Sequence, residues 1–257
     1  MLVIAIIIVA IIAPSLLLYV NIYIRAALTD NSTILTEWST VSNQILWATL
    51  SVSTVGVLFM LVAIITPYVL GWVRRPILDI AVGQTSGTGR SWRFLHLTIF
   101  NRPISGLFKF VERRDMATGC KVRLSFIPVG TNQLQFKPIF AKWDAQPEPL
   151  RLTPVGANLR PVVEASLIVV GHTYNLEPSD DGADVAVAVK HTRDTKAYAF
   201  NSFSYYYAGW KKPNWALPPG EYLIQATAMS GQQSCTKMFR LLNRGRGFRN
   251  FRLELSS

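Results

Sequence analysis

From Leu2 to Ile24 the chain runs for 23 residues without a charge, and most of them are Ile, Val, Leu or Ala. At about 1.5 Å per residue such a helix covers the roughly 30 Å hydrocarbon layer of a bilayer, so this run predicts a transmembrane helix. Pro14 lies inside it, where a kink is tolerated if a neighbour or Ser15 meets the released carbonyl. A cleaved signal peptide is the competing expectation. It fits less well, because no basic residue precedes the run, the run exceeds an ordinary h-region, and Ala26-Ala27 is a poor cleavage site.

A second uncharged stretch covers Trp38 to Val73, with an apolar centre from Ile45 to Leu70. Tyr68 and Trp72 stand where an interfacial aromatic belt belongs, and Arg74-Arg75 follow at once. Residues 25–44 between the runs carry only Arg25, Asp30 and Glu37. The cation rule therefore predicts spans at about 2–24 and 45–73, an external loop at 25–44, and both termini on the cytoplasmic side of the cell (inner) membrane. Thr49, Ser53, Gly56, Met60, Ala63 and Pro67 form a mostly small-sided stripe in the second span. It suits close packing against the first span, or homo-oligomer formation. Neither span contains an ionisable side chain, which argues against a proton relay or ion path.

Beyond the spans the composition changes. Residues 76–257 hold 23 of the 26 Lys and Arg and 13 of the 15 Asp and Glu, most of the chain's net charge of +11. Pro76 ends the helix, and 76–91 reads as a Gly/Ser linker. From residue 92 the pattern is one of strands. Cys120, Val122, Leu124 and Phe126 alternate with polar residues, as do Leu95, Leu97 and Ile99. Similar runs occur at 139–143, 162–170, 184–190, 197–203, 222–229, 236–242 and 248–255. Pro and Gly punctuation at Pro128-Val129-Gly130, Pro147-Glu148-Pro149 and Pro218-Pro219-Gly220 has the spacing of a sandwich or barrel. The expected fold is thus a two-helix transmembrane hairpin (1–75) followed by an all-β domain (92–257), an antiparallel β-sandwich.

The segment Leu217-Pro218-Pro219-Gly220-Glu221-Tyr222-Leu223-Ile224-Gln225-Ala226 resembles the last hairpin of many immunoglobulin-like domains. There a Pro-Gly turn launches a strand whose Tyr packs inward. With Leu95-His96-Leu97-Thr98-Ile99-Phe100-Asn101, Thr118-Gly119-Cys120-Lys121-Val122, Ala141-Lys142-Trp143 and Pro147-Glu148-Pro149, the pattern is similar to uncharacterised prokaryotic two-span membrane proteins with an immunoglobulin-like β-sandwich. That resemblance implies a fold and no activity.

The residues that carry chemistry are sparse. Cys120 and Cys235 sit in strand patterns, where a thiol behaves as a small hydrophobe, and His96, His172 and His191 share no motif and read as surface or turn residues. No ligand set has metal spacing, so neither metal nor cofactor is expected. Gly83-Gln84-Thr85-Ser86-Gly87-Thr88-Gly89-Arg90-Ser91 approaches a phosphate loop, but its spacing fails and a strand pattern follows it. Asp180-Asp181-Gly182-Ala183-Asp184 reads as a solvated turn. With no nucleophile beside a base, the chain is not expected to be an enzyme.

Two features suggest binding. Tyr205, Tyr206, Tyr207, Trp210, Lys211, Lys212 and Trp215 interleave aromatic faces with cations, a chemistry suited to a protein partner or a nucleotide base. Arg244, Arg246 and Arg249, with Arg240 and Arg252, form a basic tail that together with Arg74 and Arg75 suits anionic membrane lipid better than nucleic acid. These features predict a membrane-anchored, non-enzymatic binding or scaffolding protein that presents a basic β-sandwich at the cytoplasmic face. The alternative rests on a similarity of order to two-span bacterial defence effectors. It implies a β-domain that senses a cyclic nucleotide through Tyr206, Trp210, Lys211 and Arg90, and helices that oligomerise around Gly56.

Overall fold

The computed structural model describes residue 20 and residues 32–87, 91–104, 106, 114–155, 158–164, 173–205 and 209–256. Two units divide the chain, at Trp72 and Val73. In the first, helix α1 runs from Ser32 to Arg74, 43 residues, or about 65 Å at helical rise. No Gly or Pro interrupts the sequence from Ser32 to Val55, so the helix extends through much of the expected external loop 25–44, which is corrected accordingly. Its Ser42–Arg74 part is long and apolar enough, by length and composition, to cross a membrane. Thr49, Ser51, Thr54 and Thr66 each donate a hydroxyl proton to the carbonyl four residues back, at 2.6–2.8 Å. Bonded in this way, they expose little polarity to an apolar surrounding.

The described residues thus contain one such helix, not a two-helix hairpin. Apart from Val20, the expected span 2–24 lies outside them.

In the second unit, strands β1 (Leu78–Val82), β2 (Trp92–Asn101), β9 (Ala183–His191), β10 (Ala197–Ala199) and β11 (Ala216–Leu217) form one sheet in the order β1-β2-β9-β10-β11, with β5 (Lys142–Trp143) also on β9. The other sheet runs β14-β13-β12-β3-β4, from β14 (Phe251–Leu255), β13 (Gln233–Asn243), β12 (Gly220–Ser230), β3 (Ala117–Pro128) and β4 (Ile139–Phe140), with β8 (Tyr174–Leu176) on β3. A separate hairpin joins β6 (Leu150–Val155) to β7 (Asn158–Val163). These strand pairs are all antiparallel.

Period-two alternation explains the core. Val122, Leu124 and Phe126 of β3 meet Ile224, Ala226 and Ala228 of β12 and Phe239 and Leu241 of β13, while Leu95, Leu97, Ile99, Val185 and Val187 face them from the first sheet. Trp143 is fully buried among them, stacked 5.1 Å from Tyr174. Burying each large side chain of this kind contributes about 2–3 kcal/mol. Tyr222 is buried, its hydroxyl donating to the Pro218 carbonyl at 2.9 Å.

The structure revises four further expectations. β1 lies inside the stretch read as a linker and pairs Leu78 with Asn101 through Val82 with Leu97. The run 139–143 is two strands on different sheets. Ile139 and Phe140 pair with β3, Lys142 and Trp143 pair with β9, and Ala141 is the crossing point, its amide donating to the Val122 carbonyl. The last strand begins at Phe251 rather than at residue 248; of the run 162–170, residues 165–170 lie outside the described set. Gly182, taken as part of a solvated turn, turns the chain into β9 at φ +66°, where a Cβ would come within 2.7–2.8 Å of Thr98, Ile99 and Phe100 atoms. Only glycine fits there.

Two buried asparagines stand at opposite ends of the domain. Asn101 accepts from the Ile77 amide and donates to the Asp115 and Leu176 carbonyls. Asn243 accepts from Lys190 Nζ at 2.7 Å and donates to the Leu217 and Pro218 carbonyls. Each leaves a buried amide satisfied and ties several chain segments together.

Candidate functional site

The two edges of the paired sheets differ. On the β1 side, Asp79 holds Lys237 of β13 at 2.6 Å and Arg102 at 2.7 Å, and Lys237 also donates to the Ile80 carbonyl. Burial alone would raise the Asp79 pKa, but hydrogen bonds from Lys237 and Arg102 outweigh it and hold the carboxyl below its usual range. That seam is laced shut by ionic bonds.

The opposite seam lies between the short edge strands β4 and β11. A groove of about 420 Å³ opens there, lined by Phe136, Lys137, Pro138, Ile139, Asn214 and Trp215. Phe136, Ile139 and Trp215 are half-buried and pack against the main core, so the groove floor continues it. Phe136 rests 5.2 Å from Phe126. Lys137 is exposed at the rim, and the Lys212 ammonium stands 4.9 Å over the Trp215 ring. Among the described residues no carboxylate lines it. Apolar walls with cations at the edge suit a ligand that carries both an apolar face and negative charge.

The aromatic segment therefore divides. Trp210 is only 5 % exposed and belongs to a second cluster on the outer face of the first sheet, with Phe94, Ala186, Val189 and Phe200. Its ring meets Trp92 edge-on at 4.6 Å and Tyr198 at 5.8 Å. Lys211 pairs with Asp194 at 2.7 Å and lies over the Trp92 and Trp210 rings. Tyr205 is half-buried, with the Lys142 ammonium 4.5 Å from its ring. Trp210, Lys211 and Tyr205 thus serve packing on that face, while Lys212 and Trp215 reach the groove. Tyr206, Tyr207, Arg90 and His172 lie outside the described residues.

The basic residues divide as well. Arg74 and Arg75 sit where the chain enters the β-domain, their carbonyls accepting from the Asp115 amide and the Arg114 guanidinium. Arg244 and Arg240 both pair with Glu221, and Arg252 pairs with Glu254. Arg246 and Arg249 are exposed. The stripe residues Thr49, Ser53, Gly56 and Ala63 lie on α1, with open space around Gly56.

Sequence reasoning missed the ionic groups of the outer face. His96, read as a surface residue, is 2 % exposed. Its Nδ1 lies 2.9 Å from the Gln84 carbonyl, and its Nε2 lies 3.1 Å from Asp144 Oδ2, an ion-pair distance. Burial disfavours its charge, but Asp144, the Gln84 carbonyl and Asp184 more than compensate, so its pKa is raised. Lys142, 3 % exposed, pairs with Glu148 at 2.5 Å and donates to the Ser204 carbonyl. The available signal was a lysine between Ala141 and Trp143 in an apolar run. Among the described residues no group of three or more His, Cys, Asp or Glu side chains could hold a metal, and Cys120 and Cys235 are not joined in a disulfide.

Compared with protein-family models, curated proteins and solved structures, the chain matches none of them.

Proposed function

We propose that this chain is a membrane-anchored, non-enzymatic binding protein that presents a basic β-domain at the cytoplasmic membrane face and takes an extended acidic segment of a protein partner in the seam groove. The observation that carries this reading is the asymmetry of the seams: one laced by Asp79, Lys237 and Arg102, the other open over core aromatics with Lys137 and Lys212 at its edge. A groove between two short edge strands favours an extended chain with alternate apolar and acidic side chains. Helix α1 supplies a span by length and composition, and the Arg74-Arg75 pair beside it favours the cytoplasmic side.

The test is selection of displayed peptides on the full chain held in phosphatidylcholine nanodiscs. Enriched sequences should combine an aromatic or large aliphatic residue with Asp or Glu, and Lys137→Glu with Lys212→Glu should weaken their binding about tenfold or more while the melting temperature holds. Peptides without acidic residues, or acidic ones indifferent to both reversals, would remove the groove as the capture site.

A further inference from the structure

The end of the β-domain farthest along β2 from the chain's entry carries a surface that shares only Lys137 with the groove. The chain enters beside the Asn101 end of β2, where the Arg102 amide bonds to the Ile77 carbonyl. At the Trp92 end, Arg93 Nη1 donates to the Phe248 carbonyl at 2.9 Å. The 10 residues of β2 separate these ends by about 33 Å. Arg74 and Arg75 therefore do not share a patch with the arginines of 244–250.

Three loops meet at the Trp92 end. The Gly247 amide bonds to the Thr192 carbonyl, joining 244–250 to 192–196, and the Val129 amide bonds to the Glu221 carbonyl, bringing 129–138 beside the residue whose carboxylate pairs with Arg244. Buried Lys190 props the platform from below, donating to the Gly245 carbonyl at 2.6 Å. The loops contain Lys137, Arg193, Lys196, Arg244, Arg246 and Arg249 against a single carboxylate, Asp194, which is occupied by Lys211. Two large aliphatic side chains also face outward here, Val129 at 49 % and Leu134 at 47 % exposed.

We infer that this platform docks on an anionic phospholipid bilayer, with the arginines against headgroup phosphates and Val129 and Leu134 entering the interface. Cations alone would suit any polyanion. The exposed aliphatic tips favour lipid, because they gain nothing against a nucleic-acid backbone but gain burial among acyl chains. Single-stranded nucleic acid would instead call for exposed aromatic faces. Phe248 is half-buried with the Arg93 guanidinium 4.8 Å from its ring, and Trp210 is buried. The inference shares Lys137 with the groove but rests on Arg246, Arg249, Val129 and Leu134, which do not line it.

The experiment floats the full chain, held in phosphatidylcholine nanodiscs, with vesicles of phosphatidylcholine alone or with three-tenths phosphatidylglycerol. Binding should appear only with phosphatidylglycerol and weaken in high salt. Arg246→Gln with Arg249→Gln should reduce it about 30-fold. Val129→Ser with Leu134→Ser should reduce it several-fold with every cation in place. Lys212→Glu alone, outside the platform loops, separates the two ideas, because it should weaken peptide capture and leave the vesicle binding. Equal binding to both vesicle types, or binding to duplex DNA without vesicle binding, overturns the inference, as does indifference to the serine substitutions.

Discussion

His96 is buried beside a carboxylate in a place where its sequence neighbours gave no warning. It sits on the outer face of β2, and alternation with Leu95 and Leu97 puts it opposite the core. That face is covered, however, by the Gln84 segment and the turn carrying Asp144, so the imidazole is buried between a carbonyl and a carboxylate. Because its folded pKa is raised above 6.5, the protonated form binds the folded state better. Its contribution to stability is complete below the unfolded pKa of about 6.5 and is lost as pH rises through the folded value. Asp144 and Asp184 face the ring and favour its protonated form. The melting temperature of the full chain should therefore fall between pH 6 and pH 8.5. In His96→Gln most of that fall should disappear, because the remaining amide does not titrate. A variant whose melting curve keeps the wild-type slope with pH would assign it to other groups.

At the scale of elements, the 205–215 segment illustrates how one composition serves two purposes. Trp210 fills a cluster with Trp92, Phe94 and Phe200, so Trp210→Ala should destabilise the domain by about 3 kcal/mol. Lys212→Ala, at an exposed position, should change stability by no more than about 0.5 kcal/mol. Denaturant titration of both variants decides between packing and exposure. Asn243→Ala should cost about 3 kcal/mol, since Lys190 and the Leu217 and Pro218 carbonyls all lose a partner and buried polar groups are costly when unmet. The long strands were legible because one face of each meets the core: β3, β12 and β13 follow from alternation alone. β1 was not, for five residues beside a Gly-rich stretch carry too short a pattern. Nor was the break at Ala141, because the mostly apolar run continues from Ile139 to Trp143 while the hydrogen-bond partners change from β3 to β9. The groove was invisible for a similar reason. Its walls come from residues about 75 positions apart in sequence, and only the pairing of edge strands brings them together.

For the whole molecule, the division at Trp72 and Val73 matches the change in charge along the sequence, and the proposal that the β-domain stands on the cytoplasmic side rests on the cation rule alone. The two cysteines can decide it. Cys120 is fully buried and its thiol is pushed up to about 12 by that burial, so it offers almost no thiolate and no access. Cys235 is half-buried, and burial followed by the Asp79 charge raises its pKa as well. It should react slowly, but in the folded state. A membrane-impermeant maleimide applied to intact cells should leave both residues unlabelled. After permeabilisation the label should appear on Cys235, with Cys120 joining only in denaturant, each site being distinguished by peptide mass. Label on Cys235 in intact cells would put the domain outside the cytoplasm and reverse the orientation argued from Arg74 and Arg75. The groove and the basic platform would keep their chemistry, and their partners would then be sought among acidic envelope proteins and the outer lipid surface.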